Sequence, residues 1–308
     1  MNVAHVSPSP PTPPTPPTPP TPPTPPTTPR ISRAYSLLGQ IVTVRGLETA
    51  PPLAHRLDAL LGPGASDERQ DTGVTLTIQR EGDVWRLADS GDAIPRTPLP
   101  TEEHLTQFVE WLAYREAVRH AAAPLILHSG AVARNGVAVL LPNVSGAGKT
   151  TLTLALAERG WLPLTDDVCP LVDRDGALTA VGCQRCCHLS ASSLAILASL
   201  GIALDGPVAN LSDYYRPRRW GEPAPVRAIV IPRYVAGSPT RFNAITQAEC
   251  LGQLLSMLFT QGAHPGDVRR RVAARLAAEA PGFSLTYSAL DEALDVFETL
   301  EAQSPAVG

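Results

Sequence analysis

Val137-Ala138-Val139-Leu140-Leu141-Pro142-Asn143-Val144-Ser145-Gly146-Ala147-Gly148-Lys149-Thr150-Thr151 decides the fold. It opens as an unbroken apolar run, the pattern of a strand buried on both faces. It then enters a loop of the form G-x-x-x-x-G-K-[ST], with Asn143 where the pattern has its first glycine. Thr151 to Arg159 reads as a helix with Leu152, Ala155 and Leu156 on one face, stopped by Gly160. In a strand–loop–helix unit of this kind, successive backbone N–H groups of the loop face an anion at the helix N-terminus. Lys149 is the only lysine; of the 25 Lys and Arg residues the other 24 are arginine. A slim ammonium reaches the β- and γ-phosphates where a planar guanidinium fits poorly, which accounts for lysine being kept here.

The expected nucleotide contacts are therefore Asn143, Val144, Ser145, Gly146, Ala147, Gly148, Lys149, Thr150 and Thr151. Asparagine tolerates positive φ better than other non-glycine residues, so Asn143 is expected to preserve the turn. The Thr150 hydroxyl is placed to ligate Mg²⁺. Trp161 to Leu164 is a second apolar strand, and it ends at Thr165-Asp166-Asp167. Strand carboxyl ends gather at one crevice in an α/β sheet, which brings these aspartates towards Thr150. One carboxylate can hold Mg²⁺ while the other accepts a proton from an attacking hydroxyl. Upstream, Leu125 to Arg134 reads as a strand carrying His128, joined to the apolar strand by an Asn135-Gly136 type I′ hairpin.

The flanks are simpler. Residues 1–30 are dominated by a P-P-T repeat, expected to form an extended polyproline arm without a core. Residues 31–123 read as a small α+β unit: a strand at Ile41 to Val44, a helix at Leu53 to Leu61, a hairpin around Glu81-Gly82-Asp83, and a long helix from Glu102 to Ala121. Nothing in that unit points to chemistry, with His104 reading as surface and Trp111 as core. Residues 124–302 form the loop-bearing unit, and 303–308 a tail. In the second unit Asp173-Arg174-Asp175-Gly176 marks a hairpin, Ser192 to Leu200 a helix closed by Gly201, and Arg227 to Ile231 a strand. Thr246-Gln247-Ala248-Glu249 is a capping box opening a helix through Phe259, followed by a helix, a strand and a helix up to Glu301. Strands alternating with helices imply an α/β fold with a mostly parallel sheet and hairpins at one edge.

The net charge of −4 argues against a general nucleic-acid surface. No apolar run approaches the roughly 20 residues that span a bilayer, and Met1 to Ser7 lack a signal pattern, so the expectation is a cytoplasmic protein with no membrane partner. Five cysteines fit reduced thiols. Cys183, Cys186, Cys187 and His188 have no second ligand pair at a sensible distance and read as packing residues. Arg216, Arg218 and Arg219 form a basic patch that suits either a phosphate or solvent.

The run from His128 to Val168 resembles the catalytic domain of the HPr kinase/phosphorylase family: a histidine strand, a hairpin, the glycine loop, a helix ending in glycine, and an Asp-Asp pair after the next strand. The resemblance implies a P-loop serine kinase using ATP and Mg²⁺. By the resemblance Asp166 would be the general base with His128 beside it and Thr150 would hold the metal; the residues themselves add Lys149 on the phosphates and Asp167 as the second metal ligand. Relatives of this fold assemble through their edges, which implies a possible homo-oligomer. The family's downstream Gly-rich L-E-[IV]-R-G-type segment has no counterpart; Val181 to Leu189 stands nearest. Phosphate removal is therefore not expected, and the acceptor is an unidentified hydroxyl of a peptide, protein or small molecule. The rival reading is a nucleotide-sensing module that binds ATP and a protein partner without useful turnover. A transporter-type ATPase would carry an L-S-G-G-Q-like run, and none is present.

Overall fold

The computed structural model describes residues 31–62, 65–66, 73–88, 99–144, 146–202, 204, 211 and 213–302. The proline-rich arm, Ser145 and the tail lie outside the described residues.

The first half contributes β1 (Ser32–Leu37), β2 (Gln40–Arg45), α1 (Pro51–Leu61), β3 (Ala65–Ser66), β4 (Val74–Glu81), β5 (Val84–Ala88) and α2 (Glu102–His120). Its strands form one sheet in the order β3-β1-β2-β4-β5. Strand β1 was not expected. Its turn to β2 runs through Leu38 and Gly39, at φ 51° and 76°. Leucine seldom adopts that conformation, so the turn gives little signal in the sequence.

The second half contributes β6 (Leu125–Arg134), β7 (Val137–Pro142), α3 (Lys149–Glu158), β8 (Leu162–Thr165), β9 (Val168–Arg174), β10 (Ala177–Ala180), β11 (Cys187–His188), α4 (Ala191–Ser199), β12 (Tyr214–Tyr215), β13 (Ala224–Tyr234), β14 (Arg241–Ala244), α5 (Gln247–Ser256), α6 (Gly266–Glu279), β15 (Gly282–Tyr287) and α7 (Leu290–Ala302). The main sheet runs β10-β9-β6-β7-β13-β15-β14, with β8 also on β6 and β10 closing back onto β13. This sheet is mixed, which corrects the mostly parallel arrangement expected. Only β7–β13 and β13–β15 are parallel. Two-residue turns at Asn135-Gly136 and Asp175-Gly176, all four residues at positive φ, force β6–β7 and β9–β10 to be antiparallel.

Apolar character along β7 reflects cover on both faces. Ala138 and Leu140 enter a core shared with α5 and α6, while Val139 and Leu141 enter one shared with α3 and α7. The capping box at Thr246 and Glu249 is formed, but α5 stops at Ser256 instead of Phe259. Beyond it Phe259 N–H bonds to the Ile126 carbonyl and Leu258 bridges to Leu127, so the chain leaves the helix to pair with β6.

The core of the first sheet does not end at residue 123. It takes in Ile126, Val168, Cys183, Cys186, Leu211 and Tyr214. Arg216 donates to the Ala59 carbonyl at 2.7 Å, which turns part of the expected basic patch into a tie between the halves. Trp111 is 50 % exposed, not core; its ring stacks on Phe108 and carries Arg115 over its face. All five cysteines are free and buried. Among the described residues no helix is long and apolar enough to cross a membrane.

Candidate active site

The glycine loop leaves β7 at Pro142 and enters α3 at Lys149. Gly146 and Gly148 sit at φ 81° and 89°, and Gly148 is the N-cap of α3. A Cβ on Gly148 would lie 2.7 Å from the Tyr287 hydroxyl, so both space and backbone demand glycine there. Asn143 works differently from the expectation. It is not among the positive-φ residues. Its side-chain amide donates to the Pro232 carbonyl on β13, and its side-chain oxygen accepts from Val144 N–H at 2.7 Å. The side chain tethers the loop to the neighbouring strand.

Lys149 is 5 % exposed. Its Nζ donates to the Asn143 and Val144 carbonyls at 2.7 and 2.8 Å and lies 3.2 Å from His128 Nε2. Burial pushes its pKa down, with the charges of Asp167 and Asp166 opposing.

The two aspartates occupy the turn between β8 and β9. The Thr165 hydroxyl accepts from Asp167 N–H and Val168 N–H, and Ser129 N–H bonds to the Asp167 carbonyl. These backbone bonds set Asp167 beside β6, where His128 is the one partly open residue between Leu125 and Ala133. His128 Nδ1 then meets Asp167 Oδ1 at 2.8 Å. Asp166 points inward at 5 % exposure, and Thr150 Oγ1 donates to its Oδ2 at 3.0 Å. Its Oδ1 is buried without a hydrogen-bond partner. The environments drive the carboxyls apart. Burial raises the Asp166 pKa, with Arg185 opposing and Asp167 reinforcing. Burial also acts to raise Asp167, but the hydrogen bond from His128 and the charge of Arg185 outweigh it, and its pKa is lowered.

Three contributors were not legible in the sequence. Arg185 binds Asp167 Oδ2 at 2.9 Å and Glu110 Oε1 at 3.1 Å, with its guanidinium over the Tyr114 ring. Glu110 comes from α2, in the unit expected to carry no chemistry, and is 3 % exposed. Burial raises its pKa and Arg185 pulls it back. The signal was slight: a charged residue at an apolar helix position, and an arginine among three cysteines. The third contributor is a wall of Tyr234 and Tyr287, facing a cleft of about 480 Å³. That cleft also meets Gly146, Gly148, Lys149, Thr150, Thr151, Asp167 and the serines Ser190, Ser192 and Ser193 at the start of α4.

Fold and site together define an α/β protein with mixed sheets in which side-chain contacts join the helix after the glycine loop to one aspartate of the pair and the histidine to the other. No protein-family model matches the chain, and no curated protein matches it. Among solved structures it is similar to the Hpr(Ser) kinase/phosphatase from Coxiella burnetii, at 13% identity and a TM-score of 0.29, over 58% of this chain and 99% of that one.

Proposed function

We propose that the protein transfers the γ-phosphoryl group of MgATP to a hydroxyl of a peptide, protein or small molecule. The observation that supports this best is the pair of contacts flanking Lys149: Thr150 on Asp166, and His128 on Asp167. Phosphoryl transfer asks the protein chiefly for position and charge, and this site supplies both.

Asp166 and Thr150 suit a divalent ion. A hydroxyl and a buried carboxylate with one unpartnered oxygen are the hard donors Mg²⁺ takes. Among the described residues no three His, Cys, Asp or Glu gather as a metal cage. Mg²⁺ at phosphoryl-transfer sites commonly leans on one or two protein oxygens, the phosphates and water. When bound, it neutralises charge building on the β- and γ-phosphate oxygens.

Asp167 is the better proton acceptor, and we assign the two aspartates in the reverse of the sequence-based order. Its side chain is 34 % exposed and lines the cleft, where a hydroxyl can approach. The hydrogen bond from His128 and the charge of Arg185 lower its pKa, which weakens it as a base, so its case rests on its place in the cleft and on the orientation those two residues fix. As the acceptor oxygen bonds to the γ-phosphorus, the bond from that phosphorus to the β–γ bridging oxygen breaks. The hydroxyl proton passes to Asp167 and ADP leaves. Lys149 exchanges its loop carbonyls for phosphate oxygens, and the loop N–H groups hold the rest of the charge.

Thermal unfolding of wild type and Lys149→Ala, with and without MgATP, tests the site. Ligand at about a hundred times its dissociation constant adds roughly 2.7 kcal/mol, several degrees for a domain this size. The shift is expected in wild type and not in the variant. Labelled γ-phosphate followed into candidate hydroxyl acceptors then tests transfer. Tight binding with no transfer to any acceptor would favour the nucleotide sensor, and no shift in either protein would remove the nucleotide site.

A further inference from the structure

The order of strands gives the cleft two unlike sides. Strand β7 delivers the glycine loop, and its neighbours are β6 on one side and β13 on the other. On the β6 side Asp167 lines the cleft, backed by His128 on β6 and by Arg185 from the segment after β10. On the β13 side the parallel strands β13 and β15 end in register at Tyr234 and Tyr287. The carboxyl ends of β7, β13 and β15 thus present the loop and both tyrosines to one crevice.

Those tyrosines adjoin the loop. The atom position that clashes with the Tyr287 hydroxyl, a Cβ on Gly148, also lies 3.7 Å from Tyr234 Cβ. The rings meet edge to face at 5.9 Å and 74°. Tyr287 is buried beneath its neighbour, while Tyr234 is 46 % exposed. An edge-to-face contact holds a ring in place and leaves its outer surface free. Ile196 and Leu290 extend the apolar surface of the same cleft.

We propose that Tyr234 is the stacking platform for the nucleobase of the bound nucleotide. This rests on reading the glycine loop as a nucleotide site. A phosphate chain anchored on that loop has its reacting end directed to the aspartate and histidine on the β6 side. Its sugar and base then leave towards β13, where the open aromatic ring lies. Bases stack on aromatic side chains with little regard to sequence or edge, so the platform supplies affinity for a nucleoside rather than a choice between bases.

Calorimetric titration of the full chain with MgATP and with magnesium tripolyphosphate separates the two parts of the site. Tripolyphosphate carries the charge and lacks the base. Wild type is expected to bind MgATP more tightly than tripolyphosphate. Tyr234→Ala is expected to weaken MgATP about tenfold, the equivalent of about 1.4 kcal/mol, and to leave tripolyphosphate unchanged. Tyr234→Phe, which keeps the ring, retains wild-type affinity for both. The platform is overturned if Tyr234→Ala binds MgATP like wild type, if it weakens both ligands equally, or if wild type does not prefer MgATP. In each of those cases binding of tripolyphosphate by wild type leaves the phosphate site standing. If wild type binds neither ligand, the nucleotide reading and the platform fall together.

Discussion

Two sides of one loop are built on opposite principles. On the β6 side the functional groups are charged or polar and mostly withdrawn from water: Lys149, Asp166, Glu110 and Arg185 are all buried or nearly so, while Asp167 and His128 are partly open. On the β13 side the groups are aromatic and neutral, Tyr287 buried and Tyr234 open. Charges in a low-dielectric setting act strongly on one another and must be fully partnered, so the first side is rigid and intolerant of change. Apolar stacking asks only for a surface, so the second side tolerates substitution. Position and charge for transfer belong to the first, and grip on the rest of a nucleotide to the second.

The largest effect should come from breaking the charged side at its centre. Arg185→Met leaves Glu110 and Asp167 without their shared partner, and loss of one member of a buried ion pair costs about 3–5 kcal/mol. Urea denaturation should show that loss. Adding Glu110→Leu should recover a good part of it by removing the stranded carboxylate. Equal stability of wild type and Arg185→Met would mean that the network contributes nothing.

Next is the boundary between the two sides. Gly148→Ala places a Cβ against the Tyr287 hydroxyl at a backbone angle that alanine resists, a cost of about 1–3 kcal/mol. MgATP binding should fall with stability. Tyr287→Phe in the same chain removes the opposing oxygen and should restore part of both. If it restores nothing, backbone strain alone sets the cost.

A pH series distinguishes the carboxylates. The Asp166 pKa is raised in the folded state, so its contribution to stability is fully present below the ordinary aspartate pKa and is lost as pH rises through the folded value. Asp167 is lowered, so its contribution is present above the ordinary value and is lost as pH falls through the folded one. Asp166→Asn should therefore gain on wild type as pH rises from about 4 through the folded Asp166 value. Asp167→Asn should instead lose ground to wild type as pH rises through the range below about 4, and hold level above it. Denaturation midpoints moving in the opposite order would reverse the assignment of the two residues.

The smallest effect concerns the tether. Asn143→Gly restores the commoner loop pattern but removes two side-chain hydrogen bonds, and should cost about 1 kcal/mol. A gain in stability would show that the asparagine is tolerated rather than used.

Most elements of the second half were legible because their signals are local. The apolar run of β7, the Asn135-Gly136 turn and the Thr246 capping box each require only neighbours a few residues apart. Strand β1 was hidden by a leucine at positive φ, and the end of α5 by a pairing with β6 that lies far off in sequence. Lys149, Thr150, His128 and both aspartates could be named from residue type and spacing. Their contacts could not. Thr150 meeting Asp166, and His128 meeting Asp167, depend on how the β8–β9 turn rotates against β6, and two adjacent aspartates look the same in a linear chain.

By itself the sequence determined a strand, a glycine loop and a helix around a single lysine, because these are signals of short segments. That α3 is buried all round over residues 151–156, and not on one face as expected, came from the tertiary structure. Tertiary structure decided the rest: that the sheet is mixed, that Glu110 reaches the site through Arg185, and that Tyr234 and Tyr287 stand side by side beyond the loop. Residues 75 positions apart along the chain meet only because an ion pair needs a partner removed from water with it, and packing chooses that partner.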